Sequence, residues 1–190
     1  MPRLRRSPTA ALLRTAVCLW LLGQRGWARD VLPEYDVKAA CLFNIAKFTD
    51  WPASAFAQPG APIVIGVLGQ DPFGSVLDRI VKGRVINNRP VVIRRASRHQ
   101  ELSDAHLVFI SNSERARAAQ IASTLENSSV LCVGDIEETA AIAAINFSVA
   151  GGRTVFTVNL ARTSRAGVKI SSKLLHLAAA VTGGSTSASR

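Results

Sequence analysis

The sequence predicts a single α/β domain: a mostly parallel central sheet flanked by helices, with a C-terminal antiparallel hairpin and a final helix. Three observations carry that reading. The runs PIVIGVL, AHLVFI and SVLCVG are short and continuously apolar, as strands buried on both faces must be. Segments with helical spacing separate them, and alternating strand and helix implies a parallel sheet covered on both sides. Further on, AIAAINFSV and RTVFTVNL flank Ala150-Gly151-Gly152, which reads as a β-hairpin.

The first helix is expected over residues 34–50, EYDVKAACLFNIAKFTD. Val37, Cys41, Ile45 and Phe48 recur at helical spacing as one apolar face, widened by Leu42 and Phe43. Trp51-Pro52 ends it, because proline disfavours helical geometry in the residue before it. Residues 53–62 form a loop rich in proline. PIVIGVL then leads through Gly69 to a helix over 72–81, with Asp71 at its N-cap and Pro72 at its first position. A turn at Asn87-Asn88 brings in PVVIRR as an outer strand. AHLVFI is followed by the helix SNSERARAAQIASTL, where Ser111 and Glu114 have the spacing of a capping box. SVLCVG, an acidic loop over 135–138 and the hairpin come next. The last helix is expected over 168–181, with Ile170, Leu174, Leu177 and Ala178 as its apolar side. The small polar tail, 182–190, reads as disordered.

The chain has 190 residues and is 48% hydrophobic, enough for one domain with a real core. Its first 28 residues stand apart. Arg3, Arg5, Arg6 and Arg14 precede an apolar centre, and Gly26-Trp27-Ala28 offers small residues at the −3 and −1 positions. That is a secretory signal peptide cut after Ala28. The apolar run is too short for the ~20 residues of a membrane-spanning helix. Five of the 23 Lys+Arg lie ahead of the cut and none of the 13 Asp+Glu does, so the mature chain, 29–190, keeps a balance of +5. Its basic residues are scattered and not interleaved with aromatics, which argues against nucleic acid as a partner.

Does the loop after PIVIGVL hold a phosphate? Ligands of α/β sheets sit beyond the carboxyl ends of strands, at helix N-termini. Asp71, though, would occupy the free N–H groups that a phosphate needs, and no P-loop lysine or dinucleotide fingerprint follows. A neutral or cationic small ligand beside Asp71 and Phe73 remains open. Ser171-Ser172-Lys173 does not align a serine with a lysine on one helix face, and Glu137-Glu138 fits a solvated loop. No nucleophile, base and orienter assemble, so no enzyme is expected, and no cofactor or metal set is visible. The mature chain's two cysteines, Cys41 and Cys132, sit in apolar segments as small buried hydrophobes, with a bridge between them as the alternative. Asn146 and Asn159 are expected to bond locally. Trp51, Arg153, Lys169 and Lys173 are the candidates for contact with a partner.

Four segments already quoted, KAACLFNIAKFTDWP, VLGQDPFG, INFSVAGGRTVFTVN and SRAGVKISSKLLHLA, resemble in order the signature blocks of the YfiR-like family of bacterial periplasmic proteins. The resemblance spans nearly all of the mature chain. It implies a non-enzymatic periplasmic regulator, of which the best-known member represses an inner-membrane diguanylate cyclase by holding its periplasmic sensor domain. An outer-membrane lipoprotein draws that repressor away, raising cyclic di-GMP and biofilm. Other members sit beside sensor kinases or outer-membrane receptors, and such proteins tend to form homodimers. The name-giving repressor relies on disulfides, one in its C-terminal half, whereas Cys132 has no cysteine near it in sequence. Ala143-Ala144 replaces the family's usual glycines, and Cys41 an aromatic position. The second function in view is a periplasmic small-molecule binder serving a transporter or sensor kinase.

Overall fold

The computed structural model describes residues 33–125 and 128–184. The segment expected to be a signal peptide, with its expected cleavage site, lies outside the described residues, as does the tail from 185. Elements run in the order α1 (Glu34–Lys47), β1 (Thr49–Asp50), β2 (Ile63–Leu68), α2 (Ser75–Val81), β3 (Val85–Ile86), β4 (Arg89–Ala96) and β5 (Leu107–Ile110). They continue with α3 (Ala118–Leu125), β6 (Leu131–Gly134), α4 (Glu137–Ala140), β7 (Ile145–Ala150), β8 (Arg153–Asn159), α5 (Leu160–Arg165), β9 (Lys169–Ile170), α6 (Ser172–Leu175) and β10 (Ala180–Thr182). Short 3-10 turns, the longest at Asn112–Arg117, link several of them.

Eight strands form one mixed sheet in the order β10-β8-β7-β6-β5-β2-β4-β3. The pairs β10–β8, β7–β6, β6–β5, β5–β2 and β2–β4 are parallel, while β7–β8 and β3–β4 are antiparallel hairpins. Both hairpins turn on two residues with positive φ, Gly151-Gly152 and Asn87-Asn88, as two-residue turns that match strand twist require.

Side-chain alternation splits the interior into two layers. Ile63, Ile65 and Val67 of β2, with Leu107 and Phe109 of β5, face a core closed by α1 and α2. Val64, Leu68, Val108 and Ile110 face the other core, closed by α3. Every residue of β2, β5 and β6 is buried, which is why these strands read as unbroken apolar runs. Cys41 packs against the first layer and Cys132 lies in the second. Both are free thiols, so the alternative of a bridge is not realised, and burial pushes the Cys132 thiol up to about 12.

Three helix readings need correction. In α1 the buried positions are Lys38, Ala39, Leu42, Ile45 and Ala46, so the inner face is turned from the one drawn through Val37 and Cys41. The helix also stops at Lys47, because Thr49 and Asp50 leave it to pair with Ile170 and Lys169. The helix expected at 72–81 starts at Ser75 with Gly74 at its N-cap, φ 51°, so Asp71 caps nothing in it. No helix spans 168–181. β9 pairs with β1, α6 is one turn capped by Ser171, and β10 joins β8 in parallel register. Thr182, expected in the tail, is therefore in the sheet.

Candidate functional site

The strand order changes direction between β2 and β5, since the chain goes from β2 outward to β4 and then returns to the other side. Beyond the carboxyl ends of that pair lies the crevice where open α/β sheets hold ligands. Here the protein fills it. Ser111, at the end of β5, donates from Oγ to the Gln70 carbonyl at 2.6 Å, and the Gln70 N–H donates to Ser113 Oγ at 2.8 Å. Gly69 has φ 89°, and a Cβ there would stand 2.4 Å from Ser113 Oγ. Ser111 caps the following turn by accepting from Ser113 N–H, but Glu114 turns to Arg117 at 2.5 Å, so only half of the capping box forms.

Asp71 is occupied as well. Its Oδ1 accepts from the Phe73 N–H at 2.7 Å, and its Oδ2 accepts from Arg95 Nε at 2.7 Å. Arg95 also binds Asp78 at 2.7 and 3.0 Å. Its hydrogen bonds to Asp78 and Asp71 raise its pKa, and the bond from Arg95 lowers that of Asp78. The cation that Asp71 could hold thus comes from β4. Phe73 is a core residue, stacked edge-on against Tyr35 and Phe109.

The same end holds a buried ionic cluster that sequence reading missed. Lys38, on the inner face of α1, meets Asp135 at 2.8 Å and Glu34 at 2.5 Å. The Lys38 and Asp135 side chains are only 4% and 2% exposed, so the pair is sealed from water. Tyr35 adds its hydroxyl to Asp135 Oδ2 at 3.0 Å, while Asp135 Oδ1 has no partner. Burial, then the Asp135 charge, raises the Tyr35 pKa. Burial lowers that of Lys38, but its hydrogen bonds to Asp135 and Glu34 outweigh this and leave it raised.

The amino end of the sheet is built from rings. His106 precedes β5 and is buried. Its Nδ1 accepts from the Val64 N–H at 3.2 Å, which places the proton on Nε2. Phe56 lies over the imidazole at 4.5 Å, and Trp51 meets it edge-on at 5.7 Å. Trp51 is packed rather than free, with Nε1 donating to the His106 carbonyl at 3.1 Å. Arg89 covers the outer face of Phe56 at 3.6 Å. Burial, then the Arg89 charge, lowers the His106 pKa, so the ring is neutral. Outside this stack is a pocket of about 270 Å³ lined by Asp50, Trp51, Phe56 and Arg89 among others.

The sequence-predicted residues do not converge. Trp51 and Lys169 are neighbours, because Asp50 pairs with Lys169, and exposed Lys173 follows on α6. Arg153 is exposed at the far hairpin, four strand positions from β2, about 19 Å at normal strand spacing. Asn159 caps α5 by accepting from the Arg162 N–H, and Asn146 bonds the Phe147 carbonyl, so both are satisfied locally. Among the described residues no cluster of His, Cys, Asp and Glu could hold a metal, and no helix is long and apolar enough to cross a membrane.

The chain is similar to two solved structures. A conserved domain protein of Vibrio cholerae O1 biovar El Tor superposes with a TM-score of 0.55 at 11% identity, covering 80% of this chain and 61% of that one. An ABC domain from Streptococcus pneumonia, solved in complex with L-Trp, gives 0.49 at 9% identity, with 75% and 60% covered. The chain therefore spans about 61% and 60% of the lengths of these structures, and the likeness to the first, at 11% identity, is one of fold alone. No curated protein matches. The YfiR/HmsC-like family model matches residues 35–179, from Tyr35 of the ionic cluster to the threshold of β10, and the chain belongs to that family.

Proposed function

We propose that this protein is a non-enzymatic periplasmic regulator that binds the periplasmic sensor domain of an inner-membrane signalling protein. The favoured partner is a diguanylate cyclase, which the protein represses, lowering cyclic di-GMP and biofilm formation. The observation that carries this reading is the family match over residues 35–179. Its support from geometry is that, at the switch-point crevice, the Gln70 and Phe73 N–H groups, which a phosphate would need, are taken by Ser113 and Asp71, and Arg95 by Asp71 and Asp78. Trp51, Lys169 and Lys173 on one side and Arg153 on another are the proposed contact residues, and the protein works as a homodimer. An outer-membrane lipoprotein as the releasing partner, and a sensor kinase in place of the cyclase, belong to the same proposal.

The test is cellular cyclic di-GMP in a strain lacking the gene, beside its parent and a complemented strain. A reversible rise supports repression of a cyclase. An unchanged level, with no binding of purified protein to sensor domains encoded nearby, removes the reading.

A second reading, a binder of small molecules serving a transporter or sensor kinase, gains one observation: the pocket bounded by Asp50, Trp51, Phe56 and Arg89. It lies away from Asp71 and Phe73, where the sequence had left a ligand open. A thermal-shift screen with amino acids and nucleotides tests it, and no shift with any of them removes it.

A further inference from the structure

β4 uses its two edges unequally. On the inner edge Val91 to Ala96 run parallel to Ile63 to Leu68 of β2. On the outer edge β3 covers only Arg89 and Pro90. The Gly69 N–H donates to the Ala96 carbonyl, which sets the phase of the ladder. In a parallel pair a residue turns both main-chain groups to one side and its neighbours turn theirs to the other. Val92, Arg94 and Ala96 therefore address β2, while Val91, Ile93 and Arg95 face outward. The Val91 N–H is taken by the Arg84 carbonyl at 3.1 Å. Among the described residues, no backbone bond closes on the outward groups of Ile93 or Arg95. They form an open strand edge.

A groove of about 420 Å³ runs between α2 and this edge. Val81, Val91 and Ile93 give it an apolar lining. Arg79 and Lys82 stand beside it, and neither forms an ion pair among the described residues. Its one carboxylate, Asp78, is already held by Arg95 at 2.7 Å. Unpaired backbone, an apolar floor and an uncompensated positive rim thus share one trough. An acidic strand complements all three, and a basic one is repelled.

We propose that an extended, acidic segment of a partner protein adds to the outer edge of β4 as a further strand, with apolar and acidic side chains taking turns at the positions, every second residue, that face α2. The main chain of Ile93 and Arg95 supplies its hydrogen bonds, and every second side chain enters the groove beside α2. Apolar side chains settle on Val81 and Ile93, and carboxylates meet Arg79 and Lys82. The proposal deepens the regulator reading by locating a docking surface, and it rests on that reading for the source of the segment.

The test uses the purified protein and a capped heptapeptide, Val-Thr-Glu-Thr-Val-Thr-Glu, whose valines and glutamates share one face. Amide hydrogen exchange at Ile93 and Arg95 is expected to slow by about tenfold or more at saturation. The same peptide N-methylated at every second residue, made in both registers, separates strand addition from charge attraction. The register that blocks the β4-facing N–H groups is expected to lose the protection. Arg79→Glu with Lys82→Glu, both on the surface, should weaken the glutamate peptide about tenfold and strengthen its lysine counterpart. Exchange that stays unchanged at Ile93 and Arg95, or equal binding by both N-methylated registers, overturns the proposal. If the peptide fails while deletion still raises cyclic di-GMP, the groove falls and the regulator reading stands. If the peptide binds and deletion changes nothing, the groove stands and the cyclase is not the partner it serves.

Discussion

At the carboxyl end of the sheet, β2, β4 and β6 finish among charges. Arg95 gathers Asp71 and Asp78, and Lys38 is sealed against Asp135. At the amino end, β2 and β5 begin among rings, with neutral His106 between Phe56 and Trp51. Both ends are closed, but by opposite physics. Ionic closure holds only while both partners are present and charged. Aromatic closure depends on area and contact, and its one titratable ring holds only while uncharged. The ends should therefore fail under different insults.

The largest expected effect is at Lys38. Lys38→Met leaves the Asp135 carboxylate buried without its cation and should cost about 3–5 kcal/mol, read as a shift in urea midpoint. Adding Asp135→Leu should recover most of that loss, since two apolar residues need no compensation. A second variant no more stable than the first would show that the cluster does more than neutralise one charge. Phe56→Ala should come next, at about 2 kcal/mol for a half-buried ring, and should be insensitive to salt.

pH sets the two ends against each other. The His106 pKa lies below its unfolded value of 6.5, so its contribution is complete above 6.5 and is lost as pH falls below it. Tyr35 and Lys38 lie above their ordinary 10.0 and 10.5, so their contribution is complete below about 10 and is lost as pH rises through the folded values. His106→Gln, which keeps an acceptor for the Val64 N–H, should flatten the acid flank of a stability–pH curve alone. Lys38→Met with Asp135→Leu, which removes both charges of the pair, should shrink the alkaline flank alone. Either variant flattening both flanks would break the comparison. The smallest effect is expected at Arg95, whose pairs are partly open to water. Arg95→Gln should cost about 1 kcal/mol or less at low salt and close to nothing in about 1 M salt.

Much of the fold was legible because it depends on local pattern. Continuous apolar runs marked β2, β5 and β6, and Gly151-Gly152 marked a hairpin that needs positive φ. The terminal segment misled because Ile170, Leu174 and Leu177 have helical spacing, yet Leu177 is 66% exposed. Pairing with β1 and β8, both distant in sequence, won over that local pattern. The ionic cluster was hidden for the same reason. Lys38 follows Glu34 by four residues and reads as an ordinary surface pair. Its decisive partner, Asp135, is 97 positions away. The visible hint was that Lys38 falls beside Leu42 and Ile45 on a helix with few polar positions on that side. The N-cap reading of Asp71 failed because the helix begins three residues later than expected, with Gly74 at its N-cap, and Asp71 instead meets Arg95 of a neighbouring strand.

The pairing of Thr49 with Ile170 and of Asp50 with Lys169 has a consequence for how the molecule comes into being. The first helix is made early, and the strand that anchors its end lies far along the chain. Until then α1 has its Leu42 and Ile45 face without its full cover. Loop closure over so much of the chain is slow to nucleate. The end of α1 is anchored only once the whole stretch between Asp50 and Lys169 has been made.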